Sequence, residues 1–158
     1  MTRIVGSMQG KGRRFAIVVS RFNELVTDRL LAGAQACLEQ HDVAADDVVV
    51  YSVPGAWELP LAADRILRAG GFDAVIALGC VIRGDTPHFD FVASGATNGL
   101  LRNALDHGVP VAFGVLTTDD TAQAMARAGG KAGNKGWEAA LTALEMADLY
   151  ARIGGTDA

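Results

Sequence analysis

The stretch DAVIALGCVI, residues 73–82, has a carboxylate at its first position and no other charged or amide side chain. A continuous apolar run without alternating polar residues is typical of a strand that is buried on both faces of a sheet. Strands of this kind occur in parallel sheets that are covered by helices on both sides. The stretch therefore predicts a central strand of an α/β protein.

Further strands and helices are predicted on both sides of this stretch. The strands are FAIVVS (Phe15–Ser20), DVVVYSV (Asp47–Val53) and PVAFGVLTT (Pro110–Thr118). Helices, read from apolar spacing and from glycine, proline and capping signals, are predicted over Glu24–Glu39, Ala56–Ala69, Pro87–His107, Asp120–Ala128 and Asn134–Ile153. Alternation of strands and helices predicts right-handed βαβ units. We expect residues 1–158 to form one domain, a flavodoxin-like three-layer α/β sandwich with a central four-stranded parallel sheet and helices on both faces.

The composition is that of an apolar, weakly charged chain. Of 158 residues, 50% are hydrophobic and 20% are charged, and 14 basic against 18 acidic side chains give a net charge of −4. This balance argues against a disordered chain and against a nucleic-acid partner. No apolar stretch approaches the roughly 20 residues of a membrane helix, and the N-terminus lacks the apolar region of a signal peptide. The alanine and glycine content, with so few charges, indicates self-association.

Cysteines and histidines are few and scattered. Cys37 and Cys80 form no C-x-x-C pair, which is typical of buried thiols in the reducing cytoplasm. His41 and His107 fall at a predicted helix end and a turn, where ordinary surface histidines are common. No metal site is expected from this arrangement.

Cations recur near the C-terminal end of the sequence. Arg127, Lys131 and Lys135 are spaced by four residues and could face an anion or simply form a solvated surface. The segment GGKAGNKG (129–136) lacks the G-x-x-x-x-G-K-[ST] pattern, and no G-x-G-x-x-G follows the first strand. A nucleotide cofactor is therefore not expected.

Unusual side chains follow the carboxyl ends of all four predicted strands. The segments are SRFN (Ser20–Asn23), VPGAWELP (Val53–Pro60), GCVIRGDTPHF (Gly79–Phe89) and FGVLTTD (Phe113–Asp119). Ligands of open α/β sheets bind beyond the carboxyl ends of the strands. We therefore expect the functional site at this edge of the sheet.

The turn Gly84–His88, GDTPH, predicts an anion site. Thr86 is a natural N-cap and Pro87 fits the first helical position, so the free amides and the Thr86 hydroxyl would bind an anion. Gly84 would let the backbone come close to the bound group. His88 would then lie beside the anion and could transfer protons. A surface histidine after an ordinary helix cap explains the position equally well.

Two candidate ligand-binding residues follow the first two strands. Glu58 is predicted in the first turn of a helix, where it could interact with the helix dipole or accept hydrogen bonds from a polyol or amine beside Trp57. Phe22 could be an ordinary core residue or an exposed ring that stacks on a planar heterocycle.

Taken together, these segments resemble the lumazine synthase (6,7-dimethyl-8-ribityllumazine synthase) family of riboflavin biosynthesis. The resemblance covers essentially the whole chain and is carried by SRFN, VPGAWELP, ALGCVIRGDTPHFDFV, PVAFGVLTTD and RAGGKAGNKGWEAA. No single segment is decisive, but the set in this order is very specific. Two positions depart from the usual pattern, because Cys80 stands where many members have Thr or Ser, and Trp57 where Phe is common.

The resemblance implies a transferase that acts without a cofactor. Members of the family condense 5-amino-6-(D-ribitylamino)uracil with 3,4-dihydroxy-2-butanone 4-phosphate and release phosphate and water. The alternative is a weakly active paralogue that binds flavin or lumazine. The presence of Thr86, His88 and Arg127 favours the enzyme, because a binder has no need of the phosphate half of the site.

Roles for individual residues follow from the same resemblance. The ribitylaminouracil would be bound by Phe22, Ala56, Trp57, Glu58, Cys80, Val81, Ile82 and Phe113. The butanone phosphate would be bound by Asp85, Thr86 and Arg127, and the catalytic proton carrier would be His88. Lys135 and Glu138 are secondary candidates close to the site.

The resemblance also implies a homopentamer with sites between neighbouring subunits. In this expectation Phe22 and Phe113 come from one chain, and His88 and Arg127 come from the other. Some members form an icosahedral shell, about 60 chains by symmetry, which can enclose riboflavin synthase. The short turn Gly129–Asn134 favours a shell. Residues 1–14 could add a strand to a neighbouring subunit.

Overall fold

The strands form a parallel sheet at the centre of the computed structural model, which describes residues 1–155. Four strands, β1 (Phe15–Ser20), β2 (Val48–Val53), β3 (Ala74–Ile82) and β4 (Val111–Thr118), lie in the order β2-β1-β3-β4. β3 pairs with both β1 and β4, and residues 74–81 are buried. The apolar stretch 73–82 is therefore a central strand, as predicted.

Helices cover both faces of this sheet. They are α1 (Glu24–Gln40), α2 (Leu59–Ala69), α3 (His88–His107), α4 (Thr121–Ala126) and α5 (Lys135–Ile153). Alternate residues of each strand point to opposite sides. Ile17 and Ile76 pack in the cluster beneath α1 and α5, whereas Val18 and Val75 pack in the cluster beneath α2 and α3. The architecture is the predicted flavodoxin-like α/β sandwich.

The contact between α1 and α5 depends on small residues. A Cβ atom at Gly136 would collide with the main-chain carbonyl of Leu30, and one at Gly33 would overlap the Asn134 side chain. Asn134 caps α5, since its Oδ1 accepts a 3.1 Å hydrogen bond from the Trp137 amide. Its Nδ2 donates to a carbonyl of α1 at 3.1 Å. Asn134 thereby fixes the start of α5 against α1.

Two of the predicted helices differ from the observed ones by more than one residue at an end. The segment 56–69 is not one helix, because Ala56–Glu58 forms a 3₁₀ turn before α2 begins at Leu59. The helix predicted over Asp120–Ala128 is the shorter α4. It is capped by Asp120, whose carboxylate accepts a 2.8 Å hydrogen bond from the Gln123 amide.

A small antiparallel hairpin follows α4 and was not predicted. It consists of β5 (Ala128–Gly130) and β6 (Gly133–Asn134). Gly129 and Gly133 have φ angles of 104° and 89°, which glycine adopts readily. These glycines end α4 and reverse the chain before α5.

The N-terminal segment, residues 1–14, lies against α5 without forming a strand in this chain. The Ser7 amide donates to Asp148 Oδ2 at 2.7 Å, and Arg13 Nη2 lies 3.1 Å from Asp148 Oδ1. Before these anchors, Ile4 and Val5 are exposed.

Candidate active site

The carboxyl ends of β1, β2 and β3 border one cleft of about 610 Å³. The lining residues follow β1 and β2, end β3 and begin α3: Phe22, Asn23, Gly55, Ala56, Trp57, Glu58, Cys80, Val81, Ile82, Gly84, Thr86, His88, Phe89, Phe91 and Val92. The cleft lies at the edge of the sheet at which ligands of such folds bind. It therefore unites most of the site residues predicted from the sequence.

Phe22 is an exposed ring at the mouth of this cleft. The amides of Arg21 and Phe22 donate 2.9 Å hydrogen bonds to Val53 and Pro54, so the backbone continues the pairing of β1 with β2. The Phe22 side chain is 71% exposed. This position rules out a core role within the chain and leaves the ring face free to stack on a planar group.

Asn23 ties the ends of β1 and β3 together. Its backbone is left-handed, with φ 64°, and its carbonyl accepts the amides of Val26 and Thr27 at the start of α1. Its side-chain Nδ2 donates a 3.0 Å hydrogen bond to the Cys80 carbonyl. Asn23 belongs to the SRFN segment, but no role was predicted for it. Its signal is that asparagine tolerates the left-handed conformation better than most residues do.

The 3₁₀ turn Ala56–Glu58 forms the wall of the cleft beyond β2. Glu58 occupies the N-cap position of α2, but its side chain makes no capping hydrogen bond. The Glu58 carboxylate lines the cleft at the start of α2, where it can interact with the helix dipole and accept hydrogen bonds from a polar ligand. Trp57 is 60% exposed, and a Cβ atom at Gly95 of α3 would overlap its ring. The indole thus packs closely against α3.

Cys80, Val81 and Ile82 end β3 and line the cleft. Cys80 and Val81 are buried. Burial raises the pKa of the Cys80 thiol from 9.0 to about 11, so the sulfur is a protonated thiol at neutral pH. Because thiolate is the nucleophilic form, this side chain is unsuited to covalent catalysis.

The start of α3 differs by one residue from the prediction. The Pro87 carbonyl accepts the Asp90 amide at 3.0 Å, so Pro87 is the N-cap and His88 is the first helical residue. Thr86 precedes the cap, and its Oγ1 accepts a long hydrogen bond, 3.4 Å, from the His88 amide. Thr86 and His88 are both exposed in the cleft. The predicted anion site therefore keeps its helix start and its hydroxyl, but no side chain caps the helix.

Other predicted residues lie outside this cleft. Asp85 is exposed but does not line it. Phe113 is on β4 and 38% exposed, and Arg127 and Glu138 are exposed beyond α4 and on α5. Arg127 and Lys135 are adjacent, since the Lys135 amide donates to the Arg127 carbonyl at 2.8 Å. Arg127 Nη1 also donates to the Gln123 carbonyl at 3.0 Å.

The structure corrects the expected grouping of aromatic and polar residues. Phe22 and His88 line the same cleft of one chain, whereas Phe113 and Arg127 do not reach it. The reason is the strand order, because β1 and β3 are neighbours and bring the segments that follow them together. The prediction that Phe22 and His88 come from different chains is wrong.

Some lining residues had no predicted role. Phe89, Phe91 and Val92 come from the first turns of α3, and Gly55 precedes the 3₁₀ turn. The run HFDFV (88–92) carries the three apolar side chains. Nothing in their spacing separates residues that line a cleft from residues that cover a core.

Neither a metal centre nor a membrane-spanning helix is found among the described residues. Residues 1–155 contain no group of three or more histidine, cysteine, aspartate or glutamate side chains placed to hold a metal ion. None of the helices described over the same residues is long and apolar enough to span a membrane.

Comparison with known proteins identifies the family. Residues 12–151 match the family model described as 6,7-dimethyl-8-ribityllumazine synthase. A protein of that name from Salinibacter ruber is 56% identical over 154 residues, which are 98% of this chain and 99% of its own length. Proteins of the same name from Chlorobium phaeobacteroides and Chlorobium luteolum are 55% and 51% identical, each over 94% of this chain and 96% of their own length.

These relatives do not favour the alternative of a binding paralogue. Their names describe a synthase, and the alignments extend over both the cleft and the Arg127–Lys135 region. The chain belongs to the 6,7-dimethyl-8-ribityllumazine synthase family, the transferases that act in riboflavin biosynthesis.

Proposed function

We propose that the cleft condenses 5-amino-6-(D-ribitylamino)uracil with 3,4-dihydroxy-2-butanone 4-phosphate. The products are 6,7-dimethyl-8-ribityllumazine, one phosphate and two waters. The observation that carries the proposal is that three side chains line one cleft. They are the exposed ring of Phe22, the carboxylate of Glu58, which makes no capping hydrogen bond, and the imidazole of His88. These groups suit a heterocycle, a polyol chain and a proton transfer, respectively.

The pyrimidine half of the site rests on Phe22 and the end of β3. The ring of Phe22 stacks on the heterocycle, and main-chain groups of Cys80, Val81 and Ile82 bind its polar edge. This role is supported by the burial of Cys80 and Val81, which leaves little beyond backbone to offer. Asn23 already donates to the Cys80 carbonyl and holds this edge next to Phe22.

The ribityl chain lies along the 3₁₀ turn Ala56–Glu58. The Glu58 carboxylate accepts hydrogen bonds from its hydroxyls, and Trp57 covers it from the side of α3. Support comes from the exposure of the indole and from its tight packing on Gly95. The same packing keeps the turn close to the first half of α3.

The phosphate is bound at the start of α3. Main-chain amides at Asp85 and Thr86 and the Thr86 hydroxyl contact its oxygens, because the positive end of a helix favours an anion. The Asp85 carboxylate does not line the cleft, and a negative side chain against the phosphate would be repelled. Open space above Gly84 leaves room for the group.

His88 carries protons between the reactants. Imine formation takes protons from the attacking amine and delivers one to the leaving hydroxyl, and phosphate elimination and ring closure need further transfers. A first-turn imidazole exposed beside Thr86 can reach both reactants. The rest of the acceleration comes from holding an amine and a ketone together, a reaction that proceeds slowly without help.

A neighbouring subunit completes the site with Phe113, Arg127, Lys135 and Glu138. This arrangement is supported by the position of these residues, which are exposed or half-buried but outside the cleft of their own chain. Arg127 would neutralise the phosphate, and Phe113 would cover the heterocycle opposite Phe22. Each cleft then needs two chains, which makes a homo-oligomer necessary for activity.

The oligomer we propose is a pentamer. Support comes from large apolar side chains left exposed on α2 and α3, among them Leu61, Leu101 and Leu105. The exposed residues Ile4 and Val5 precede the anchored part of the N-terminal segment, and β2 is an edge strand with a free side. The part of the segment 1–14 that precedes these anchors therefore adds a strand to the sheet of a neighbour.

Pentamers assemble further into an icosahedral shell in the cytoplasm, where riboflavin synthase is the expected cargo. The compact hairpin between α4 and α5, with no inserted residues, supports shell formation. Light scattering and electron microscopy of the purified protein test the assembly. Particles of five or ten chains would overturn the shell, and a monomer would overturn the shared site.

The activity itself is tested with both substrates and the purified protein. Absorbance and fluorescence of the lumazine product should rise well above the uncatalysed rate, and the His88→Ala variant should be much slower. Product formation no faster than without protein would overturn the proposed function.

A further inference from the structure

Arg83 lies directly between β3 and the loop that carries Gly84, Thr86 and His88. Its amide donates a 2.8 Å hydrogen bond to the Thr118 carbonyl, which continues the pairing of β3 with β4. Its guanidinium Nε lies 3.1 Å from Asp119 Oδ1, just beyond β4. The loop is thus tied to β4 at its first residue.

The same guanidinium also reaches the first turn of α3. Its Cζ lies 4.5 Å above the centre of the Phe89 ring, and its Nη1 lies 3.8 Å from Asp90 Oδ1. One side chain therefore spans the two ends of the loop. Arginine suits this task because its planar group can stack and bind two carboxylates at once.

These contacts leave Arg83 poorly placed to bind an anion. Two carboxylates, Asp119 and Asp90, flank its charge, and its side chain does not line the cleft. Each exposed ion pair alone contributes little to stability. Their combination with the ring contact and the main-chain hydrogen bond fixes geometry more than it adds stability.

We infer that Arg83 is a positioning residue that holds the Gly84–His88 loop, and thereby His88, in its reactive geometry. This role rests on the proposed function, because it presupposes that the loop binds the phosphate and carries the proton donor. A positioning role of Arg83 predicts a different effect on each of the two substrates. The loop serves the butanone phosphate, whereas the pyrimidine edge and the ribityl chain are held by β3 and the Ala56–Glu58 turn.

The test compares steady-state kinetics of Arg83→Gln and Arg83→Lys with those of the full-length wild type. We expect kcat to fall about tenfold in Arg83→Gln, because displacement of a catalytic group by about 1 Å is costly. KM for the butanone phosphate should rise, and KM for the ribitylaminouracil should stay within about twofold. Arg83→Lys should resemble Arg83→Gln more than the wild type, because lysine keeps the charge without the planar contacts.

A double variant shows whether the effect passes through Asp119. Asp119→Asn should give a smaller loss of the same kind, and Arg83→Gln with Asp119→Asn should be no worse than Arg83→Gln alone. Arg68→Gln is the matched control. It breaks an exposed arginine–aspartate pair of 2.7 Å at the end of α2 away from the cleft and should leave both KM values and kcat unchanged.

The outcomes separate this role from the proposed function. Wild-type kinetics in both Arg83 variants, or an equal rise of KM for both substrates, would overturn the positioning role while the enzyme stays active. If Arg83→Gln does not fold, the lysine variant decides by the same criteria. A wild type that fails to accelerate the reaction would overturn the proposed function and this role with it.

Discussion

The side-chain amide of Asn23 donates a 3.0 Å hydrogen bond to the main-chain carbonyl of Cys80. The bond joins the ends of two adjacent parallel strands, β1 and β3, inside the cleft. It places Phe22, the ring beside Asn23, and the polar edge of Cys80–Ile82 in one wall. The wall of the cleft to which we assign the pyrimidine is therefore built within a single chain.

Asn23→Gly should raise KM for the ribitylaminouracil about fivefold, the effect of losing one hydrogen bond of about 1 kcal/mol. Glycine keeps the left-handed backbone of φ 64° and removes only the amide. Asn23→Asp should be worse, because it sets a carboxylate against the Cys80 carbonyl. Asp42→Gly, at the other left-handed position of the described chain that is not glycine, should leave both KM values unchanged. An unaltered KM for the ribitylaminouracil in Asn23→Gly would show that this hydrogen bond does not contribute to binding.

His88→Ala should lower kcat about a hundredfold and leave a measurable enzyme. Proton transfer is lost, but the two substrates are still held together in the cleft. Single-turnover measurements of lumazine formation give the chemical step directly. Full rate under these conditions would show that the imidazole does not carry the proton.

Gly136→Ala should lower the free energy of unfolding by about 3 kcal/mol. The added Cβ meets the Leu30 carbonyl in the contact between α1 and α5, and backbone cannot move aside as a flexible side chain can. Helix propensity alone would make the same change stabilising by about 1 kcal/mol, so the two explanations differ in sign. Urea unfolding measures the effect, and Thr142→Ala on the exposed side of α5 is the control.

Asp148→Asn should lower the free energy of unfolding by about 3 kcal/mol at pH 7, because it leaves Arg13 and the Ser7 amide without their buried carboxylate. The Ser7 amide, Arg152 and Arg13 lower the pKa of Asp148 in the folded state. Its contribution is therefore complete above the unfolded pKa of about 3.9 and is lost as pH falls through the lower folded value.

Unfolding of wild type and Asp148→Asn at a series of pH values tests this sign. The difference between them should be constant at neutral pH and shrink below about pH 4. Asp106→Asn, which removes an exposed partner of Arg102, should show no such dependence. A difference that grows on acidification would contradict the assignment.

The sheet could be predicted because a strand that is buried on both faces has a continuous apolar sequence. β1 is observed with its predicted bounds, and β2, β3 and β4 each begin one residue later than predicted. The hairpin Ala128–Asn134 has no such sequence pattern, because its short glycine-rich strands bury little apolar surface and show no alternation of apolar and polar residues.

The sequence predicts which segments form the candidate site, but it does not predict which of their residues share one cleft. No single segment determines the order of the strands in the sheet. Only the adjacency of β1 and β3 shows that Phe22 and His88 share a cleft. The Asn23–Cys80 and Arg83–Asp119 contacts join residues far apart in sequence, so local patterns do not encode them.

The most direct test of a site shared between subunits mixes two damaged chains. His88→Ala removes the imidazole from the cleft of its own chain. Arg127→Ala removes the guanidinium that its chain contributes to the cleft of a neighbour. Unfolded chains of both variants are refolded together in equal amounts and assayed for lumazine formation at low butanone phosphate, where each variant alone is slow. The control is the two variants refolded separately and then mixed.

In a ring with one interface per site, about a quarter of the clefts then combine an intact His88 with a neighbour's intact Arg127. A site shared between subunits predicts activity near a quarter of the wild-type value in the co-refolded sample, and no activity beyond the average of the two variants in the control. Activity of the co-refolded sample no higher than that average would contradict the shared site.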